Sequence, residues 1–389
     1  MGSNPASLTG ASGLTSLEPV ARRFSGTGFE APPLHYRSQT GFAMIGVVER
    51  GRSDWLSSGV TGALLLLVLV GGLITYKSSS ALRQIERART AGSIATRTDV
   101  VPTSATPSLS VTARSGNYLA VIWPALLFGL LISAGVRAFV PGAAWSRLFG
   151  RGAARGQLIA GASGAPLMLC SCCVTPVFSS VYQRSSRLAP SLAMMLAAPA
   201  LNPAALVLTF LLFSSEIAWS RFVMSIVAVF IGTAVVARLA GSPRAEAAVA
   251  ASAFDAPPES GLMMRYVQSL AHVTIRTVPL IVIGVVLAML VSEYIPAWVR
   301  SPVGSGPAIA IAASLAVPLA LPTFFEIPIA VTLLAAGAPA GAAAAVLFAG
   351  PAVNLASLLT VGQVAGWRTM VLVASMIWLV AVAGGIAIG

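Results

Sequence analysis

Three cysteines, Cys170, Cys172 and Cys173, lie within four residues, and the 389-residue chain has no others. They occupy an apolar stretch that is rich in proline and glycine. Thiolates bind soft species such as Cu(I) in preference to Mg²⁺ or Ca²⁺. Cysteine is also a common small core residue, but that role does not account for gathering every thiol into one segment. The residue types therefore indicate a site for a soft, thiophilic solute.

Glu326 is the second candidate for chemistry, because it is a carboxylate within an apolar run. Ionisable groups at membrane depth are costly, so they normally face a cavity or a partner and mark ion pathways or proton relays. Arg276 is a candidate partner, although its long side chain favours snorkelling to the interface. His272 is predicted to be interfacial. Since His35 is the only other histidine, a histidine-rich metal site is excluded.

Prolines and asparagines recur at a constant spacing in two stretches of the chain. Each member of the first set meets an identical residue 152 positions later: Pro166 with Pro318, Pro176 with Pro328, Pro199 with Pro351, and Asn202 with Asn354. This spacing predicts a duplicated membrane unit with the thiols on one copy only. Related halves that move around a shared site are frequent in secondary transporters.

The prolines also predict broken helices. Proline removes a backbone donor and clashes with the preceding turn, and exposed backbone polar groups are tolerated at membrane depth only in protein or along a wet cavity. The predicted breaks lie at Pro166, Pro176, Pro199, Pro203, Pro318, Pro322, Pro328 and Pro351. Asn202 and Asn354 are predicted to bond the carbonyls that the prolines free, and also to point into the cavity.

Composition places most of the chain in a membrane. Apolar residues make up 56% of it, charged residues 9%, and the mean hydropathy is +0.85, whereas globular proteins carry about 25% charged residues. The net charge of +12 comes mainly from the tail and loops, where basic residues set topology and contact anionic lipid. No basic stripe is interleaved with exposed aromatics, so nucleic-acid binding is not expected. A multi-pass protein of the bacterial inner membrane is expected.

The predicted fold is an all-α polytopic membrane protein with two homologous four-segment repeats, broken helices and one extra N-terminal transmembrane helix, Val60–Tyr76. The predicted domains are a disordered tail over 1–57, the first helix and a basic linker over 58–116, repeat 1 over 117–240, an inter-repeat loop over 241–267 and repeat 2 over 268–389. Four crossings per repeat would make the halves parallel, whereas one re-entrant segment in each would make them inverted. The sequence leaves both arrangements open.

These motifs resemble the predicted permease family of ArsP/YraQ type over residues 117–389. The motifs that carry the resemblance are Cys170-Ser171-Cys172-Cys173, Ala198-Pro199-x2-Asn202-Pro203, Pro322-Thr323-Phe324-Phe325-Glu326 and Gly350-Pro351-Ala352-x-Asn354. Many members have glycine in place of Cys173, and a cysteine or small polar residue near Phe324. The resemblance implies efflux of thiophilic solutes, notably trivalent organoarsenicals, with metal export in some members. It also implies that the cysteine motif binds the substrate.

The expected function is therefore transport of a small thiophilic solute by alternating access, without enzymatic activity or a cofactor. The expected substrate-binding residues are Cys170, Cys172, Cys173, Thr175, Asn202, Asn354 and Glu326, with Glu326 also coupling transport to protons and the three cysteines ligating a metal cargo. No phosphate loop for ATP occurs, so an ion gradient, the membrane potential or a partner must supply the energy.

Two other functions remain open at this stage. The first is a membrane-embedded thiol/disulfide oxidoreductase, for which Cys170 and Cys173 have the Cys-x-x-Cys register. The second is a partner subunit that does not itself transport, although the predicted cavity between repeats disfavours it. Besides substrate, the expected partners are membrane lipid and a second copy of the chain.

Overall fold

A computed structural model describes residues 41–91, 110–140, 144, 153–241, 261–292, 305–321 and 324–389. These residues are helical wherever they form regular structure, and they include no strand. The helices are α1 Gly41–Ala91, α2 Val111–Phe139, α3 Ala153–Gly164, α4 Ser171–Ser185, α5 Leu188–Ala200, α6 Pro203–Leu212, α7 Ser215–Ile226, α8 Thr233–Leu239, α9 Leu262–Ser292, α10 Ser305–Ala316, α11 Glu326–Ala335, α12 Ala340–Ala352, α13 Leu355–Ala365 and α14 Trp367–Ile386. A 3₁₀ turn follows α3, and a π-helical turn joins α7 to α8.

The chain forms two compact units, Met1–Arg52 and Ser53–Gly389, and all the contacts described below belong to the second. Within the described residues, five helical stretches are long and apolar enough to cross a membrane: Val60–Thr90, Val111–Phe139, Ser215–Leu239, Leu262–Leu290 and Trp367–Ile386. The pairs α5–α6 and α12–α13, bent by 42° and 48°, bring the number to seven if each pair is one span. The predicted all-α, multi-pass architecture is confirmed.

Helix α1 contains the predicted first span, but it extends into both flanks. It begins at Gly41, inside the predicted tail, and ends at Ala91, inside the predicted linker. Residues 42–91 contain no proline, and the stretch after Tyr76 is rich in alanine, leucine, arginine, glutamine and glutamate, which favour helix. Helices α2 and α9 likewise begin earlier than their apolar cores. The rest of the predicted tail, linker and inter-repeat loop, 1–40, 92–109 and 242–260, lies outside the described residues.

Side-chain contacts give the direction of each helix relative to α2. The end of the bundle at which α2 begins is called end N here, and the end at which it finishes is called end C. Helix α1 is antiparallel to α2, because its Gly62 faces Phe139. Helix α9 also begins at end C, where Arg265 donates to the Ala138 carbonyl at 2.9 Å, and it packs back along α2.

The helices are grouped here in chain order into a first set, α2–α8, and a second set, α9–α14. The bent pair and the last span of the first set run in directions opposite to those of the second. Helices α5 and α6 lead from end C to end N, and the α7–α8 run returns to end C. Helices α12 and α13 lead from end N to end C, and α14 returns to end N. There Ser220, near the start of α7, donates to the Gly384 carbonyl near the end of α14 at 3.2 Å.

The second segment of each set is a hairpin that enters and leaves at one end of the bundle. Helix α4 follows α2 from its middle to end C, where Arg137 donates to Gln183 at 2.5 Å. Helix α3 starts at the same end, beside α8 and α5. Helices α10 and α11 form the other hairpin at end N, where Ile309 packs against Gly341 and Gly385. The two sets of helices therefore run in opposite directions, as re-entrant second segments predict.

Among the described residues, helix breaks lie deep in the bundle at 168–170, 201–202, 317–321 with 324–325, and 353–354. Two predicted breaks are wrong, because Pro176 and Pro328 lie inside α4 and α11 and the helices continue through them. Pro176 leaves the Cys172 carbonyl without its usual N–H donor, and the Thr175 hydroxyl replaces that donor at 2.7 Å. Pro328 falls in the first turn of α11, where the N–H groups have no intrahelical partner. Pro322 lies outside the described residues.

The remaining predicted prolines adjoin the breaks. Pro166 lies in the 3₁₀ turn before the first break, and Pro318 lies just after α10 ends. Pro199 and Pro351 are the penultimate residues of α5 and α12, and Pro203 is the first residue of α6. Proline at the first helical position costs little, because that N–H is unpaired in any residue.

Candidate functional site

The three thiols converge at the start of α4. Their sulfur atoms all lie within 4.8 Å of one another, with 3.2 Å between Cys170 and Cys172 and 3.8 Å between Cys172 and Cys173. All three are free thiols and are buried. Cys170 is the extended N-cap residue of α4, and Cys172 and Cys173 lie in the first turn of that helix, so the three side chains meet where the helix begins. Three adjacent sulfurs form a compact donor set for one soft atom.

Two residues of α2 support this cluster and were not singled out by the sequence. The Tyr118 hydroxyl lies 3.5 Å from the Cys172 sulfur and is fully buried. Gly129 faces the Cys173 carbonyl oxygen so closely that a Cβ atom would collide with it. A tyrosine and a glycine in an apolar helix were the available signals, but neither indicates which helix it contacts.

A cavity of about 260 Å³, called the thiol cavity, opens beside the first helix break. Cys170 is the one cysteine that lines it, since Cys172 and Cys173 are fully buried behind it. Helix α1 supplies a polar wall through Lys77, Ser80 and Gln84. The other lining residues are Tyr76, Val121, Ile122, Ala125, Met168, Asn202, Phe324 and Phe325. The thiol cavity thus joins α1 to three of the helix breaks.

A narrower space, called the central crevice, continues between the breaks. Its volume is about 10 Å³, which is close to the minimum for one water molecule. Cys170 and Asn202 line both the crevice and the thiol cavity, and Glu326 lines the crevice. The other lining residues are Leu169, Pro199, Ala205, Leu321 and Pro351. The structure therefore brings the thiol and the carboxylate singled out from the sequence to one narrow space.

The two asparagines cap the helices that follow the breaks. The Asn202 side-chain oxygen accepts from the N–H groups of Ala204 and Ala205, at 3.0 and 3.4 Å. The Asn354 oxygen accepts from the Ser357 N–H at 2.8 Å, and the Ser357 hydroxyl accepts from the Asn354 N–H at 3.0 Å. The asparagines were predicted to bond freed backbone carbonyls. Their side-chain oxygens instead accept from backbone N–H groups at the start of the next helix.

Two of the expected substrate contacts are engaged elsewhere. The Thr175 hydroxyl donates to backbone carbonyls of its own helix, those of Ser171 and Cys172. Asn354 is fully buried and does not line either space, although its side-chain nitrogen has no hydrogen-bond partner among the described residues. Their geometry fits support of the backbone more closely than contact with a substrate.

Glu326 forms a buried ion pair with Arg221 of α7. One guanidinium nitrogen lies 3.0 Å from a carboxylate oxygen, and both side chains are 1% exposed or less. The other guanidinium nitrogen donates to the Thr209 hydroxyl of α6 at 2.5 Å. Arg276, the partner suggested by the sequence, instead lines a separate cavity at end C. Arg276 is therefore not the partner of Glu326, and Arg221, which also lies within an apolar run, was not singled out from the sequence.

Two polar atoms of this ion pair lack a hydrogen bond within the described part of the chain. One oxygen of Glu326 and the Nε of Arg221 have no hydrogen-bond partner among the described residues. Buried charges are normally saturated with hydrogen bonds, so this pair is only partly satisfied. Glu326 also lines the central crevice, so this partly satisfied pair adjoins that space.

A family model described as a predicted permease, ArsP_1, matches residues 110–389. The chain belongs to this permease family. The UPF0718 protein YraQ of Escherichia coli is 27% identical over 341 residues, which cover 84% of this chain and 94% of that protein. The UPF0718 protein MJ0584 of Methanocaldococcus jannaschii is 23% identical over 308 residues, covering 62% and 84% respectively. No solved structure matches the chain.

The family match confirms the resemblance read from the motifs, and together with the apolar helices it supports a multi-pass protein of the cell membrane. All three cysteines, Arg221 and Glu326 fall within the matched region of this permease. Helix α1, which contributes the polar wall of the thiol cavity, precedes the region that the family model matches.

Proposed function

We propose that this permease moves a small thiophilic solute across the membrane, with the three thiols as its binding site. The observation that carries the proposal is the convergence of all three sulfurs within 4.8 Å, next to a cavity that Cys170 lines. A trivalent organoarsenical or a soft metal ion fits this donor set, because both prefer thiolate to oxygen ligands. Efflux is the direction that the family resemblance implies.

Binding would proceed from the cavity inwards. Cys170 meets the solute first, and Cys172 and Cys173 add sulfur contacts once the side chains adjust. Thiols bind soft atoms as thiolates, so each sulfur that binds a metal ion releases one proton. With a trivalent organoarsenical, each new arsenic–sulfur bond replaces an arsenic–hydroxide bond, and the thiol proton leaves with that hydroxide as water. Tyr118, whose hydroxyl lies 3.5 Å from the Cys172 sulfur, supplies a donor to the thiolate that forms there. Solute binding is thereby tied to proton movement.

Alternating access follows from two halves of opposite orientation. Helices α3, α5, α6 and α7 begin at residues 153, 188, 203 and 215, and α10, α12, α13 and α14 each begin 152 residues later. This equal spacing supports duplication of one four-segment unit, with one hairpin entering from each end of the bundle. Inverted repeats of this kind bind solutes between the halves and expose them to each side in turn. The broken helices at the crevice are the elements that would move.

Glu326 is proposed to couple transport to protons. A proton on its carboxylate would remove the charge that holds Arg221 at 3.0 Å. The pair connects α7, which is in the first set of helices, to α11, which is in the second. Its loss would free the second hairpin to separate from the first set. No resident cofactor is required for these steps.

A flux experiment tests this proposal. The full chain would be reconstituted in proteoliposomes loaded with a trivalent organoarsenical, and release would be measured for the wild type, Cys170→Ser and Cys172→Ser. Thr360→Ser is a matched control, because Thr360 is equally buried and bonds to its own helix at 3.1 Å. We expect flux in the wild type and control only. Cu(I) in place of the arsenical distinguishes the two classes of cargo.

The same preparation separates transport from thiol oxidation. The distance of 3.2 Å between the Cys170 and Cys172 sulfurs is the observation that favours an oxidoreductase. If the cysteine variants release arsenical and Cu(I) as fast as the wild type, the thiols do not bind the transported solute. Unchanged flux accompanied by loss of dithiol oxidation in Cys170→Ser would assign the cluster to redox chemistry instead.

A further inference from the structure

A second polar cavity lies at end C, away from the thiols. Its volume is about 160 Å³, whereas a water molecule occupies about 30 Å³ of the liquid. Both sets of helices line it, with Arg137 and Gln183 from the first set and His272, Arg276 and Gln363 from the second. The other lining residues are Ser179, Val273, Thr277, Val364 and Gly366. It is called the basic cavity here.

The basic cavity concentrates positive charge. Its described lining contains two guanidinium groups and an imidazole, but no carboxylate. Arg137 is 6% exposed, so its charge is largely removed from water. Arg137 and Arg276 both lie close enough to His272 to act on it electrostatically. Like charges that converge in a partly dry space are unfavourable unless an opposite charge joins them.

The hydrogen-bonding groups of the cavity suit an oxyanion. Arginine presents a planar fork of N–H donors that matches phosphate oxygens in a bidentate manner. Arg137 is held in place by the Gln183 side-chain oxygen at 2.5 Å, and Gln183 in turn donates to Ser179 at 3.4 Å. Thr277 and Gln363, from the second set of helices, add neutral donors to the lining. The cavity thus combines guanidinium, amide and hydroxyl donors in one lining.

We propose that the basic cavity binds a phosphate-type oxyanion, either free inorganic phosphate or the phosphate of a lipid headgroup. Because Arg137 is on α2 and Arg276 is on α9, a bound anion would bridge the two sets of helices at end C. It would stabilise the arrangement in which these helices approach each other there. This inference does not depend on the thiophilic cargo, because the cavity shares no lining residue with the thiol cavity or the central crevice.

Binding to the purified full chain tests the inference. Isothermal titration with inorganic phosphate, at constant ionic strength, would compare the wild type with Arg276→Gln. Arg265→Gln is the control, because Arg265 lies on the same helix and at the same end but bonds to the Ala138 carbonyl outside the cavity lining. We expect Arg276→Gln to weaken phosphate binding about tenfold, the effect of losing about 1.4 kcal/mol, and Arg265→Gln to leave it unchanged.

Retention of lipid distinguishes the source of the phosphate. Native mass spectrometry of protein from vesicles of phosphatidylglycerol and phosphatidylcholine would count bound lipids in the same three proteins. A lipid lost in Arg276→Gln and kept in Arg265→Gln assigns the cavity to a headgroup, whereas calorimetric binding alone assigns it to the free ion. If Arg276→Gln changes neither the phosphate affinity nor the bound lipid, the proposed site does not exist. Arsenical flux is not used as a readout.

Discussion

The buried pair between Arg221 and Glu326 permits a quantitative prediction. Both side chains are 1% exposed or less, and their charged groups lie 3.0 Å apart. Removing one partner of a buried pair leaves an uncompensated charge and costs about 3–5 kcal/mol. Arg221→Met leaves the carboxylate, and Glu326→Leu leaves a guanidinium that cannot lose its proton. Each single variant is therefore expected to lower the free energy of unfolding by about 3–5 kcal/mol.

The double variant, Arg221→Met with Glu326→Leu, is expected to be more stable than either single variant. Replacing both partners of a buried pair by apolar side chains of similar size is often neutral or stabilising. If each single variant loses at least about 3 kcal/mol and the double variant loses less than either, the coupling energy is at least about 3 kcal/mol. Thr209, which accepts from Arg221, is unchanged in all three proteins.

Reversible unfolding of the purified full chain in mixed micelles would measure these energies. Glu216→Leu and Arg238→Met are matched controls, because both residues are exposed charged positions on the same α7–α8 run. Exposed substitutions typically change stability by about 0.5 kcal/mol or less. Losses in the double variant equal to the sum of the single losses would refute the stabilising pair. Proton-coupled transport by a folded double variant would refute the role of Glu326.

Two further predictions concern the thiol site. Gly129→Ala places a methyl group against the Cys173 carbonyl. It is expected to lower the free energy of unfolding by about 1–3 kcal/mol and to weaken arsenical binding, whereas Gly116→Ala, which faces open space, should do neither. Equal shifts of the melting temperature in the two variants would contradict this packing. The second prediction uses a chain that retains Cys170 as its one cysteine. Because Lys77 and Cys170 line one cavity, Lys77→Gln is expected to slow modification of Cys170 by an anionic methanethiosulfonate severalfold, but not modification by a neutral one. If the ratio of the anionic to the neutral rate is unchanged, Lys77 does not line the thiol cavity.

The sequence identified the site residues whose proximity is local. Cys170, Cys172 and Cys173 converge because they are nearly adjacent and a helix begins there. Asn202 and Asn354 were singled out at the breaks, although they were predicted to bond carbonyls, whereas their oxygens accept from N–H groups at the helix starts that follow. These contacts join residues that are close together in the sequence, so the sequence alone indicates them.

Long-range pairing could not be inferred in the same way. Arg221 and Glu326 are both charges in apolar runs, and the cost of an intramembrane charge points to each of them. Which arginine meets Glu326 depends on how α7 and α11 pack, and Arg276 satisfied the sequence argument equally well. The polar wall of α1 was missed for a related reason, since Lys77 was predicted to begin a linker rather than to line a cavity.

The helix breaks explain why the chemistry lies where it does. A helix can open within a membrane only if the freed backbone groups find partners inside the protein. Here Asn202 caps α6, and the Leu355 N–H donates to the Pro318 carbonyl at 3.2 Å, so one break closes on another. Cys170 and Glu326 adjoin breaks in hairpins that enter from opposite ends, and both line the central crevice. The space between the hairpins is therefore bounded by the thiol site on one hairpin and by one member of the ion pair on the other.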